Sequence, residues 1–137
     1  MVCTFFGHRD TPKEKEPALR KTLIELIENK NADTFYVGNN GNFDTMVRNV
    51  LFEFAKTYSI KVFIVLTCFP KSKLEYGNYT IIPDGIENIP PRFAVDYRNR
   101  WMVNKSDYVI TAVTRSFGGA AKFREYSIKH NKTVIDL

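Results

Sequence analysis

The sequence predicts an α/β fold, a three-layer α/β/α sandwich with a mainly parallel sheet of about five strands. Three observations predict it. Strand-like runs alternate with helix-like segments from one end of the chain to the other. β-branched residues dominate the strand-like runs, as in sheets buried on both faces and joined by right-handed crossovers. The chain is 137 residues long and 44% hydrophobic, which suffices for one domain (1–137) with a real core and no staple.

Each element follows from its residues. VCTFF (2–6) is a short apolar run that stops at Gly7. Pro12 introduces a helix in which Leu19, Leu23, Ile24, Leu26 and Ile27 recur at helical spacing, and Asn29 and Asn31 mark its end. TFYV (34–37) is a second strand. After NNGNFD comes a second helix with Met46, Val47, Val50, Leu51, Phe54 and Ala55 on one face. KVFIVL (61–66) is a third strand. Residues 67–91 carry four of the six prolines and read as a long excursion with one short strand at 80–82. A helix over 92–105 turns Phe93, Tyr97, Trp101 and Met102 inward. YVITAV (108–113) is the fourth strand, 120–130 the last helix, and TVIDL (133–137) the closing strand. Repeats, linkers and low-complexity tracts are missing from the sequence.

A net charge of +5, from 20 basic and 15 acidic side chains, suits an anionic ligand, although no polybasic run concentrates it. Cys3 and Cys68 have no metal spacing and read as reduced, buried thiols. No apolar run approaches a membrane span and the first residues resemble no leader, so cytoplasmic residence is the default. No cofactor and no metal site is expected.

In an open parallel sheet, ligands bind beyond the carboxyl ends of the strands. Gly7-His8-Arg9-Asp10 follows strand one, and Gly38-Asn39-Asn40-Gly41-Asn42-Phe43-Asp44 follows strand two. Thr67, Cys68 and Pro70 follow strand three; Thr114, Arg115, Ser116 and the pair Gly118–Gly119 follow strand four. Glycine lets a backbone amide approach an anion, and the first amides of a helix have no internal partner. These loops therefore supply the candidate phosphate ligands: Gly7, Arg9, Gly38, Asn39, Gly41, Asp44, Thr114, Arg115, Ser116, Gly118, Gly119 and Lys122. Plainer readings stand beside them. The asparagine-rich loop reads equally well as a tight turn, Asp44 as a helix-start carboxylate, and His8 as a hydrogen-bonded loop residue. Trp101 and Met102 read as core. The chain has no Walker lysine motif, GxGxxG, GxSxG or HExxH.

Four segments together resemble the SLOG superfamily, the Rossmann-like group that joins DprA/SMF proteins with the LOG nucleotide hydrolases. CTFFGHR (3–9) resembles its opening strand, and GNNGNFD (38–44) its second Gly-rich loop. YRNRWM (97–102) resembles the RNR of DprA proteins and the ERKxxM of LOG enzymes. GGAAKFRE (118–125) resembles the LOG signature PGGxGTxxE, with Gly118, Gly119 and Glu125 matching. The resemblance implies a pocket for a nucleotide or another phosphorylated small molecule, often at a homodimer edge. It also implies catalytic roles for Arg98 and Glu125, if the chain cleaves nucleoside 5′-monophosphates at the N-glycosidic bond as LOG enzymes do. Phe117, Ala121, Lys122 and Asn99 depart from that pattern. Lys122 and Glu125, close to one helix face, are also spaced to pair with each other.

Three functions follow as expectations. The first is a nucleotide-binding sensor or accessory protein, the second a LOG-like phosphoribohydrolase. The third, a DprA-like single-stranded DNA binder, is the least favoured, because no basic strip is interleaved with aromatics.

Overall fold

The computed structural model describes residues 1–69 and 79–137. One sheet holds β1 (Val2–Gly7), β2 (Thr34–Val37), β3 (Lys61–Val65), β4 (Thr80–Ile81), β5 (Tyr108–Ala112) and β6 (Thr133–Asp136). The strand order is β4-β3-β2-β1-β5-β6, and every neighbouring pair is parallel. The helices are α1 (Glu16–Asn29), α2 (Gly41–Phe54), α3 (Ala94–Lys105) and α4 (Gly119–Lys129). The α/β class and the parallel sheet are as the alternation predicts. The sheet has six strands rather than about five, because the short pairing inside the long excursion is formed, as β4. Pro70 and the excursion from 71 to 78 lie outside the described residues.

Period-two alternation along the strands divides the apolar side chains between two cores. Cys3, Phe5, Phe35, Val37 and Ile110 face α1 and α2, where Leu19, Leu23, Phe43, Val47 and Leu51 close the layer. Phe6, Val65 and Val109 face the other way, onto Met102 and Val103 of α3 and Phe123 of α4. Phe5 stacks near Phe35 with ring centroids 6.2 Å apart, and Phe6 near Phe123 at 5.4 Å. Both faces of the sheet are thus covered, which is the three-layer sandwich.

Tertiary packing shifts several faces from those read in the periodicity. Pro12 leads first into a 3-10 turn (Lys13–Lys15), and α1 starts at Glu16 with Pro17 in its first turn, where a missing N–H costs nothing. Ile24 on α1 is 38% exposed, and Ala55, the C-terminal cap of α2, is also exposed. On α3 the inward face consists of Ala94, Arg98, Asn99, Met102 and Val103. Of the four residues expected inward, only Met102 is buried. Tyr97 and Trp101 are half-buried and Phe93 is 50% exposed. The rotation has a cause: α3 turns Arg98 and Asn99 toward the strand ends rather than to solvent. The cysteine pair is corrected as well. Cys3 is fully buried, and desolvation pushes its thiol pKa up to about 12, whereas Cys68, just past β3, is exposed.

Candidate functional site

The chain steps outward from β1 through β2 and β3 to β4, then returns to place β5 on the other side of β1. The strand order reverses there, so the loops after β1 and β5 diverge around a crevice. Gly7 lies beside Ala112 in the β1–β5 register, which brings the two loops to the same level.

His8 ties them together. Its side chain is almost wholly buried, and Nε2 accepts hydrogen bonds from the backbone N–H of Thr114 (3.1 Å) and of Arg115 (3.3 Å). An imidazole that accepts at Nε2 carries its proton on Nδ1 and is neutral. Burial, then the nearby Arg115, hold its pKa below the ordinary value, against a smaller opposite pull from Asp10. The stability this contributes is present above pH ~6.5 and is lost as pH falls from there through the lowered folded pKa. The denaturation midpoint is therefore expected to fall between pH 7.5 and 5, and more steeply in wild type than in His8→Gln. Equal slopes would remove His8 from the account.

The loop after β2 is shaped by contact. An added Cβ on Gly38 would lie 2.7 Å from Asp44 Oδ2 and 3.3 Å from the Arg98 guanidinium. Only a glycine there lets that carboxylate and that cation reach the strand end. Gly41 has φ +87°, and a Cβ there would lie only 2.7 Å from Arg9 Cα, closer than any real contact. Asp44 Oδ2 accepts the Asn40 N–H at 2.9 Å, and burial raises its pKa despite that bond and the charge of Arg98.

Arg98 enters from α3 and is 2% exposed. Its Nε donates to Asn99 Oδ1 (2.9 Å), and its Nη1 to Asn39 Oδ1 (2.9 Å) and the Val65 carbonyl (3.1 Å). With the Asn40 amide oriented to satisfy both its atoms, its oxygen accepts from Nη2 at 3.2 Å. All four partners are neutral. Among the described residues no carboxylate lies within ion-pair distance of this arginine; Asp44 acts at longer range, and desolvation lowers the guanidinium pKa.

The loop after β5 supplies the third wall. Arg115 holds Asp10 with two hydrogen bonds, Nη1 to Oδ2 at 3.0 Å and Nη2 to Oδ1 at 2.9 Å. Gly118 caps α4 with φ +92° and ψ 173°, and no side chain caps that helix. A Cβ built on Gly118 or on Gly119 would meet nothing within 4 Å. These two glycines border open space, unlike those at 7, 38 and 41.

The walls enclose a cavity of about 390 Å³. Of the residues expected at the site, Gly7, Arg9, Asp44, Arg98, Arg115, Gly118 and Gly119 line it. Asn39 belongs through its bond to Arg98. Thr114 offers its amide to His8, while its side chain and that of Ser116 are exposed. Lys122 is ion-paired with Asp96, and Glu125 sits beside Arg124 at 3.4 Å with its side chain 63% exposed; neither lines the cavity. The Lys122–Glu125 pairing that helical spacing allows is replaced by these two contacts. Asn99 and Asp10 were not among the candidates. Asn99 is buried in the cavity wall, and Asp10 secures Arg115. The only prior signal for Asp10 was its place in Gly7-His8-Arg9-Asp10.

Chemically the cavity offers guanidinium groups and uncapped amides, donors suited to an anion. Among the described residues, no three His, Cys, Asp or Glu side chains converge as metal ligands, and no helix is long and apolar enough to cross a membrane. A larger groove of about 890 Å³ runs between α1 and β6, but no arginine lines it. Compared with protein-family models and with curated proteins, the chain matches none.

Proposed function

We propose that this chain binds a nucleotide or nucleotide-derived phosphate in the cavity beyond β1, β2 and β5, as a small SLOG-type sensor or accessory protein. One observation carries the reading: Gly118 and Gly119 border open space at the uncapped amino end of α4, in the cavity wall that also holds the buried Arg98. A buried cation whose near partners are all neutral is stabilised by an arriving anion. The helix end adds roughly half a positive charge. Arg9 also lines the cavity, and it makes no ion pair among the described residues. The volume lies near the small end of the usual range for ligand pockets, roughly 300–1,000 Å³, which favours a mononucleotide over a dinucleotide or a strand of DNA.

The phosphoribohydrolase reading has less support. It needs a carboxylate beside the ribosyl carbon, and Glu125 lies outside the cavity wall; the carboxylate within it is Asp44. Thermal denaturation with AMP, ribose 5-phosphate or inorganic phosphate tests the binding reading. A ligand at a hundredfold excess over its Kd stabilises the folded state by ~2.7 kcal/mol, a rise on the order of 10 °C for a chain of this size. If none of the three moves the midpoint at millimolar concentration, the reading fails.

A further inference from the structure

We propose that Phe117 is the platform on which the planar ring of the ligand stacks, so that the cavity selects nucleoside monophosphates over bare sugar phosphates. The inference rests on the binding reading above and adds the ligand's second half. Phe117 is 68% exposed, which leaves most of a large apolar ring open to a partner. It is not itself part of the cavity wall, but it lies in the loop between Arg115 and Gly118, both of which line the cavity. Its ring is also oriented. The Arg115 guanidinium sits 5.6 Å from the ring centroid, and Asp10 fixes Arg115 through its two hydrogen bonds. Val95 also lines the cavity and is 42% exposed, adding apolar surface to its wall.

The proposed site is two-ended, with cations and uncapped amides in the cavity and, against the Arg115 guanidinium that lines it, an aromatic ring. A sugar phosphate satisfies only the inner end. A nucleoside monophosphate, with a phosphate at one end and a flat heteroaromatic ring at the other, matches both.

Calorimetric titration of AMP and of ribose 5-phosphate into the wild type, Phe117→Ala, Phe117→Leu and Phe117→Tyr tests this. Wild type is expected to bind AMP more tightly than ribose 5-phosphate. Loss of one base–aromatic stack should weaken AMP by about five- to a hundredfold in Phe117→Ala. Ribose 5-phosphate should bind both proteins alike. Phe117→Leu, which keeps apolar bulk without a π face, should behave like the alanine variant, and Phe117→Tyr like wild type. Equal wild-type affinities for the two ligands, or an equal loss of both in Phe117→Ala, would overturn the platform while leaving the phosphate site standing. Failure of both ligands to bind wild type would overturn the two proposals together.

Discussion

Gly119→Leu is expected to abolish the AMP-induced rise in melting temperature while leaving the free protein's midpoint within about 2 °C of wild type. The two halves of this result have one origin. Gly119 opens α4, has no left-handed backbone to protect, and an added Cβ there meets nothing within 4 Å. The free protein therefore accommodates leucine without a clash, and leucine's better helix propensity offsets some of the apolar surface it exposes. The space the side chain enters is the space assigned to the anion. Bulk at that point also screens the first amides of α4, the donors the anion needs. Gly118→Ala makes a useful contrast, since φ +92° is strained for any side chain and should cost about 1–3 kcal/mol even without ligand. A Gly119→Leu protein that still shows the full shift would place the ligand elsewhere.

Gly7→Ala is expected to be strongly destabilising. Its Cβ would lie 2.3 Å from two ring carbons of Phe43 and 2.7 Å from Phe43 Cβ, distances no relaxed contact reaches. Phe43 cannot easily yield, being 1% exposed in the first turn of α2 and part of the core between that helix and the sheet. Gly7 is itself held in register beside Ala112. Overpacking of this kind costs about 1–3 kcal/mol and sometimes more, so chemical denaturation should show a clearly lower midpoint with little change in slope. In a Phe43→Ala background, where both clashing ring carbons are gone, Gly7→Ala should cost much less, and a double-mutant cycle would return a large coupling energy. An unchanged midpoint for Gly7→Ala would mean that strand and helix separate more readily than their packing implies.

These two substitutions show how much of the site the sequence disclosed. Glycine at 7, 38, 41, 118 and 119 was legible as a set marking the ends of β1, β2 and β5. What the set concealed was a division of labour. Three of those glycines make room for the protein's own Phe43, Asp44 with Arg98, and Arg9, and two border empty space. Sequence cannot separate them, because the deciding neighbour is up to 60 residues away. Arg115 shows the same limit. It was legible as a basic residue at the right edge, but its partner Asp10 is 105 positions distant and reaches it only because β1 and β5 are adjacent.

Alternation of apolar runs determined the elements and the parallel sheet, since periodicity is a local property written in consecutive residues. β4, only two residues long, came through as a short pairing inside the proline-rich excursion. Only the tertiary structure decided that α3 presents Arg98 and Asn99 inward, that His8 staples two loops through Nε2, and that Lys122 and Glu125 take other partners outside the cavity. The physical reason is common to all three. The energy of a buried cation, a neutral imidazole or an ion pair depends on which groups the fold brings within a few ångströms, and those distances do not exist until the sheet is assembled.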